Sequence, residues 1–184
     1  MASFAERMIG AAKLDAHTYE EVEADQTATG QAMAVVVLSS LAVGIGSLNQ
    51  GVVALAIAAI VAITGWFIWA FLTYFIGTRL LPEPQTKADI GELLRTIGFA
   101  SSPGLLRVLG FVPLVGGLIN LVASNWMLVA MVVAVRQALD YQSTGRAIAV
   151  CVIGWIVYIV VMVLLMGFLM VLAGVAGASA GGQA

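Results

Sequence analysis

The last long stretch of this chain, Ala147 to Ala173, carries no charged side chain, and three earlier stretches (30–48, 51–77 and 114–135) are equally free of charge. Runs of this length match the ~20 residues a helix needs to cross a hydrocarbon core about 30 Å thick. They also leave too little polar surface to clothe a water-soluble globule. Of the residues, 61% are hydrophobic and only 10% charged, with a mean hydropathy of +1.04, where a soluble domain carries roughly a quarter charged residues. The expected fold is therefore all-α, a polytopic helical bundle in a membrane.

The first 29 residues are different. Glu6, Arg7, Lys13, Asp15, Glu20, Glu21, Glu23 and Asp25 interrupt every apolar run there, so no secretory signal core is visible and insertion is expected to be driven by the first span. Phe4, Met8 and Ala11 recur at helical spacing and predict a weakly amphipathic helix on the cytoplasmic membrane surface. The Thr18 to Glu21 spacing predicts a capping box opening a second, acidic helix, and Thr27 or Thr29 is placed to cap the first span. Asn49-Gln50-Gly51 reads as a tight turn between the first two spans. Tyr74, Phe75 and Arg79 form an interfacial anchor at the end of the second. The connector Leu80 to Arg95 holds Pro82 and Pro84, with an Asp89 to Glu92 capping-box spacing that predicts a helix start. The tail 174–184 is rich in Gly and Ala and is expected to be loosely ordered and non-cytoplasmic.

Segment 96–112 decides the topology. It is short, contains Pro103 and Gly104, and carries Arg107. If it crosses, the chain has five spans within 30–173, and seven of the eight Lys and Arg residues fall on one side: Arg7, Lys13, Arg79, Lys87, Arg95, Arg136 and Arg146. If it does not cross, Arg136 and Arg146 move to the other side and the asymmetry weakens. The excess of basic residues marks cytoplasmic loops, so five spans are predicted in the cell membrane, with the N-terminus cytoplasmic and the C-terminus across it. A helix from Thr96 to about Gly110 would reach only ~22 Å. The third crossing is then expected to be kinked at Pro103, completed by irregular backbone around Pro113, and sheltered inside the bundle by the second and last spans.

Reactive constellations are missing from the pattern. The lone histidine, His17, sits in the polar N-terminal segment away from every membrane serine, where it cannot serve a nucleophile. With one His and one Cys (Cys151), no metal-ligand set or intramolecular disulfide can form. The cluster Glu20, Glu21, Glu23 and Asp25 lacks the calcium-loop spacing and reads as a solvated face. No phosphate-binding glycine motif is present, and a net charge of -2 offers no surface for nucleic acid. No enzyme activity and no cofactor are expected. Arg107 is the strongest single candidate for function, because an ionisable group in a span is costly. It can snorkel to headgroups, pair with Asn120 or an exposed carbonyl, or touch a ligand. Asn120 and Asn125 read as polar glue between helices. Ala54, Ala58 and Ala62 repeat every fourth residue and form a candidate helix-packing face.

Four stretches, taken in order, resemble the Yip family, small multi-span membrane proteins known as Ypt/Rab-interacting proteins, in its prokaryotic branch. They are Leu14-Asp15 through Tyr19 to Asp25 with Thr29-Gly30-Gln31-Ala32, then Gly98 to Pro103, then Pro113-Leu114-Val115-Gly116, then Trp126 followed by Arg136. The resemblance implies five spans, a cytoplasmic N-terminus and a C-terminus across the membrane. Eukaryotic members resemble adaptors in vesicle traffic that bind small GTPases and organise membranes. Their Asp-Leu-Tyr-Gly-Pro motif is absent here and the N-terminal segment is much shorter, so small-GTPase binding is not expected. The favoured expectation is a non-enzymatic membrane scaffold or accessory subunit. Its partners would be membrane lipids and either copies of itself or a larger membrane complex, met through the Ala54/Ala58/Ala62 face or the acidic segment. The alternatives are a small transporter with a site near Arg107, or a lipid-binding protein.

Overall fold

A computed structural model describes residues 2–47 and 52–181, and every regular element among them is helical. The expected Asn49-Gln50-Gly51 turn lies outside the described residues. In chain order the elements are α1 (Phe4–Ala12), α2 (Ala16–Ala24), α3 (Thr29–Ser47), α4 (Val52–Phe75), α5 (Ile90–Phe99), α6 (Gly116–Ala138) and α7 (Thr144–Gly181). A short 3-10 turn, Gln26–Ala28, leads into α3, a wide π turn, Ile76–Leu80, ends α4, and a 3-10 segment, Ser102–Phe111, follows α5.

Four stretches are long and apolar enough to cross a membrane: Gln26–Gly46, Val53–Leu80, Gly116–Ala138 and Thr144–Val161. The 96–112 segment is not among them, and its internal structure follows from its proline. Pro103 has no N–H to give to the Phe99 carbonyl, so an α-helix cannot continue past that point. The Ser102 hydroxyl donates to Phe99 O instead, at 2.7 Å, and the chain proceeds as a tighter 3-10 helix. The expected helix thus begins earlier than Thr96, at Ile90, and breaks at Ala100.

This broken helix runs alongside α3. Gly98 lies opposite Ala32, where an added Cβ would sit 2.7 Å from the Ala32 Cβ, Gly104 lies against Ser39, and the Arg107 carbonyl and Gly110 lie against Gly46. On α3 these partners are seven residues apart; on the broken helix Gly98 sits in the last turn of α5, and Gly104 and Gly110 are two full turns apart in the 3-10 segment. One face therefore meets the other along its length. The return is made by α6, whose start is fixed by Gly116 against the Gly110 carbonyl. The 3-10 segment is sheltered by α3 and α6, with α1 touching it as well. This corrects the expectation that the second and last spans do so, since the small-residue surface that permits close approach is on α3, not on α4.

One end of the bundle is capped by polar structure. There the N-terminal helices, the 81–89 connector and the 139–143 turn are joined: Arg95 donates to Val22 O and Glu23 O, Gln137 to Glu20, Gln85 to Asp140 O, and Arg146 to Pro82 O. At 1.5 Å per residue, the 23-residue α6 places Gly116 about 34 Å from this capped end. The connection from Arg95 to Gly116 accordingly runs the length of the bundle. Beyond the capped end, α7 continues as helix to Gly181, past the expected end of the last span near Ala173.

Helix starts show which sequence signals decided. Asp89 and Glu92 form the expected capping box of α5. The one expected at Thr18 is displaced: Asp15 caps α2, and the Thr18 hydroxyl donates to it at 2.7 Å. An unforeseen capping box, Ser3 with Glu6, opens α1. Neither Thr27 nor Thr29 opens the first span, because Asp25 accepts from both the amide and the hydroxyl of Thr27. Among the described residues, the C-terminal ends of α1 and α6 are closed by the six-to-one and five-to-two hydrogen bonds of a Schellman motif, with Leu14 and Asp140 at positive φ.

The glycine contacts give a paired test. An alanine at Gly46 would collide with the Arg107 carbonyl, which is backbone and cannot swing away, whereas Gly65 has nothing within 4 Å of a new Cβ. Gly46→Ala is expected to destabilise by ~1–3 kcal/mol and Gly65→Ala to leave stability unchanged or slightly raised. Thermal unfolding of the two variants in the same detergent, followed by circular dichroism, checks both.

Candidate functional site

Two places gather the polar chemistry of the molecule. At the capped end, Arg7 is 2% exposed, and a buried guanidinium needs partners for all its donors. It has them: Nη2 lies 3.0 Å from Glu21 Oε1 and 2.7 Å from Asp25 Oδ2, and Nη1 donates to Gln31 Oε1 at 3.0 Å. The clamp ties α1 to α2 and to the start of α3. Burial works against the charge, but Asp25 and Glu21 together raise the Arg7 pKa. The Glu21 carboxyl is lowered mainly by its bond to Arg7, and that of Asp25 by the Thr27 hydroxyl and then by Arg7. This overturns the reading of the acidic cluster as one solvated face. Glu21 and Asp25 grip a buried cation, while Glu20 and Glu23 turn to the other side of α2.

On that side lies a cavity of about 400 Å³ between α2, α5 and α6, lined by Glu20, Glu23, Glu92, Asp140, Arg136 and Gln137. Burial, then the nearby Glu92 and Asp140, push the Glu23 carboxyl up to about 7, and Arg95 only partly offsets them. Arg95 itself is buried, and its guanidinium caps the last carbonyls of α2, which have no partner within the helix. His17 is exposed. Among the described residues no group of His, Cys, Asp or Glu could hold a metal ion.

The second place is a cleft of about 400 Å³ near the middle of the bundle, walled by α3, α4, α6 and the 3-10 segment. Its floor is the contact of Trp69 Nε1 with Met131 Sδ at 3.2 Å. Above that floor α4 and α6 hardly touch, so the cleft is open sideways between them. Arg107 enters it, and Nη2 donates to Ser124 Oγ at 2.8 Å. Ser124 in turn donates to Asn120 O at 2.7 Å.

The candidate residues from the sequence separate here. Arg107 pairs with Ser124, not with the Asn120 side chain, whose amide donates to Gly116 O. Asn125 donates to Leu121 O in its own helix and is exposed, so among the described contacts it does not join helices. Ala58 and Ala62 line the cleft wall, and Ala54, on the same stripe, is half-buried. The stripe thus faces its own bundle, where small side chains leave room beside Arg107. Ser124 was missed. It lies on α6 four residues after Asn120, and that i, i+4 spacing of two polar residues in an apolar run was the available signal.

The class defined by this fold is a helical membrane protein whose long apolar spans are closed at one end by a polar cap. The family description of the Yip1 domain matches residues 16–180. The chain belongs to the Yip1 domain family. No curated protein matches it, and no solved structure matches it.

Because the Glu23 pKa is raised on folding, the cap favours the protonated acid. Its contribution to stability is full below the ordinary carboxylate value of 4.5 and is lost as pH rises through about 7. Protection of the α2 amides, corrected for the hydroxide-catalysed rise of intrinsic exchange with pH, is expected to fall over that interval, and Glu23→Gln to remove the fall. Amide exchange of α2 measured from pH 4.5 to 8 checks this.

Proposed function

We propose that the protein is a non-enzymatic organising component of the cell membrane that works by contact with other membrane proteins. The observation that carries this reading is the capped end. There three chain segments far apart in sequence are locked into one polar platform, by Arg7 to Glu21 and Asp25, by Arg95 to the end of α2, and by Glu83 to the Gln142 amide. Fixing so many side chains costs conformational entropy, and a rigid polar surface with an acidic hollow is suited to docking. The Ala54/Ala58/Ala62 stripe is turned inward, which leaves the platform as the proposed contact surface. Its partner would be a membrane complex or a second copy of this chain. Permeation past Arg107 is the weaker alternative, since the cleft lining is mostly apolar and Trp69 on Met131 floors it.

The same reading takes the 96–112 segment as a crossing, giving five, with the platform in the cytoplasm and the C-terminus on the far side. Two observations support this: the segment follows α3 from Ala32 to Gly46, and Arg7, Arg95, Arg136 and Arg146 make their contacts at the platform. Single cysteines at Lys87 and Leu114, in a Cys151→Ala background, test it with an impermeant thiol reagent. Labelling of Lys87→Cys from the cytoplasmic side only, and of Leu114→Cys from the opposite side only, is the expected result. Labelling of both from one side would remove the fifth crossing. For the platform, a photo-crosslinker at Glu20 in native membranes is expected to capture a membrane protein or a second copy, and a persistently uncrosslinked monomer would count against docking.

A further inference from the structure

The sideways cleft holds a pairing of chemistries that the platform does not explain. Among the described residues Arg107 is the only cation lining the cleft, and no carboxylate lies within ion-pair distance of it. A hydroxyl, Ser124 Oγ, is its side-chain partner, and a hydroxyl does not neutralise a guanidinium. An unneutralised cation in a low-dielectric span is costly unless an anion joins it. Around it the surface is apolar. A second hollow of about 340 Å³ adjoins the cleft, sharing Arg107, Trp69, Met127 and Met131 with it and adding Ser124, Leu128 and Trp155.

The geometry sets how far a headgroup must be drawn in. Ser124 is eight residues into α6, about 12 Å from its distal end at 1.5 Å per residue, and Arg107 is held in the distal half of the 3-10 segment by its carbonyl against Gly46. A phosphate drawn in along α6 toward that depth would meet the guanidinium, with its chains lying between α4 and α6. Bidentate binding of phosphate by a planar guanidinium is a strong, charge-assisted interaction.

We propose that the cleft between α4 and α6 is a site for one anionic phospholipid, its phosphate on Arg107 and Ser124 and an acyl chain along Trp69, Met131 and Trp155. The lipid supplies the missing negative charge and fills the space that Ala58 and Ala62 leave open. Its occupation does not depend on any protein partner, so it stands or falls separately from the docking platform.

Native mass spectrometry of the purified full chain, equilibrated in mixed micelles with equal phosphatidylglycerol and phosphatidylcholine, reads the site directly. Wild type is expected to keep one phosphatidylglycerol at collision energies that strip phosphatidylcholine. Arg107→Gln should lower the retained fraction at least fivefold, Arg107→Lys should restore part of it, and Arg79→Gln, at the other end of the bundle, should not change it. Ala58→Phe, which fills the cleft and keeps the charge, should also lose the lipid, which covers the case in which Arg107→Gln fails to fold. Equal retention of the two lipids by wild type would overturn the proposal. So would unchanged retention in both Arg107→Gln and Ala58→Phe, equal loss in Arg79→Gln, or a protein dimer in place of the lipid adduct.

Discussion

The structure depends on how one proline-broken segment is held against one helix. Pro103 forbids an α-helix through the middle of 96–112, and backbone packed among apolar helices cannot leave its polar groups unpaired. Both demands are met by changing helix type at Ala100 and pressing both parts onto α3, through Gly98 at the end of α5 and through Gly104 and Gly110 in the 3-10 segment. The Ser102 hydroxyl takes the carbonyl that proline abandons. Close approach then does what side-chain burial does in a soluble core: packing is carried by van der Waals contact between small residues. The positions of Arg107 and of the start of α6 follow from this contact. Without it, neither the cleft nor the return of the chain to the capped end would have a fixed geometry.

The two ends of the molecule solve different electrostatic problems. At the capped end, buried arginines are matched locally: Arg7 by two carboxylates, Arg95 by the free carbonyls of a helix end. Charge there rigidifies the joint between the N-terminal helices and the bundle. In the cleft, Arg107 has a hydroxyl and an apolar surround, and its counter-charge must come from outside the described chain. The proposed organising role would use both arrangements, a stiff polar surface facing proteins and a sideways opening facing lipid.

Much of this was legible in the residues. Uncharged runs marked the long spans, Asp89 with Glu92 marked the start of α5, and Pro103 marked the break. The capping of α2 was misread because Asp15, three residues before Thr18, accepts from both the chain and the threonine hydroxyl. A capping-box spacing alone does not say which acceptor wins. The acidic cluster was misread because the two faces of α2 are distinguished only by what stands opposite them, Arg7 on one side and Glu92 with Asp140 on the other. The stripe Ala54, Ala58, Ala62 shows the limit most clearly: a row of small side chains permits close packing and equally permits a void, and the choice lies with the facing helix. The packing row on α3 was harder to see, since the opposing glycines recur every six residues against a partner recurring every seven, a match that depends on the change from α-helix at Gly98 to 3-10 helix at Gly104 and Gly110.

The contact between the broken helix and α3 is tested most directly by amide hydrogen exchange of the protein in a lipid nanodisc. Amides of 102–111 are expected to exchange as slowly as those of 32–46, because both strips are hydrogen-bonded and mutually buried. Exchange of 102–111 as fast as that of the 82–88 connector would contradict the packing on which the cleft, the return of α6 and the placement of Arg107 all rest.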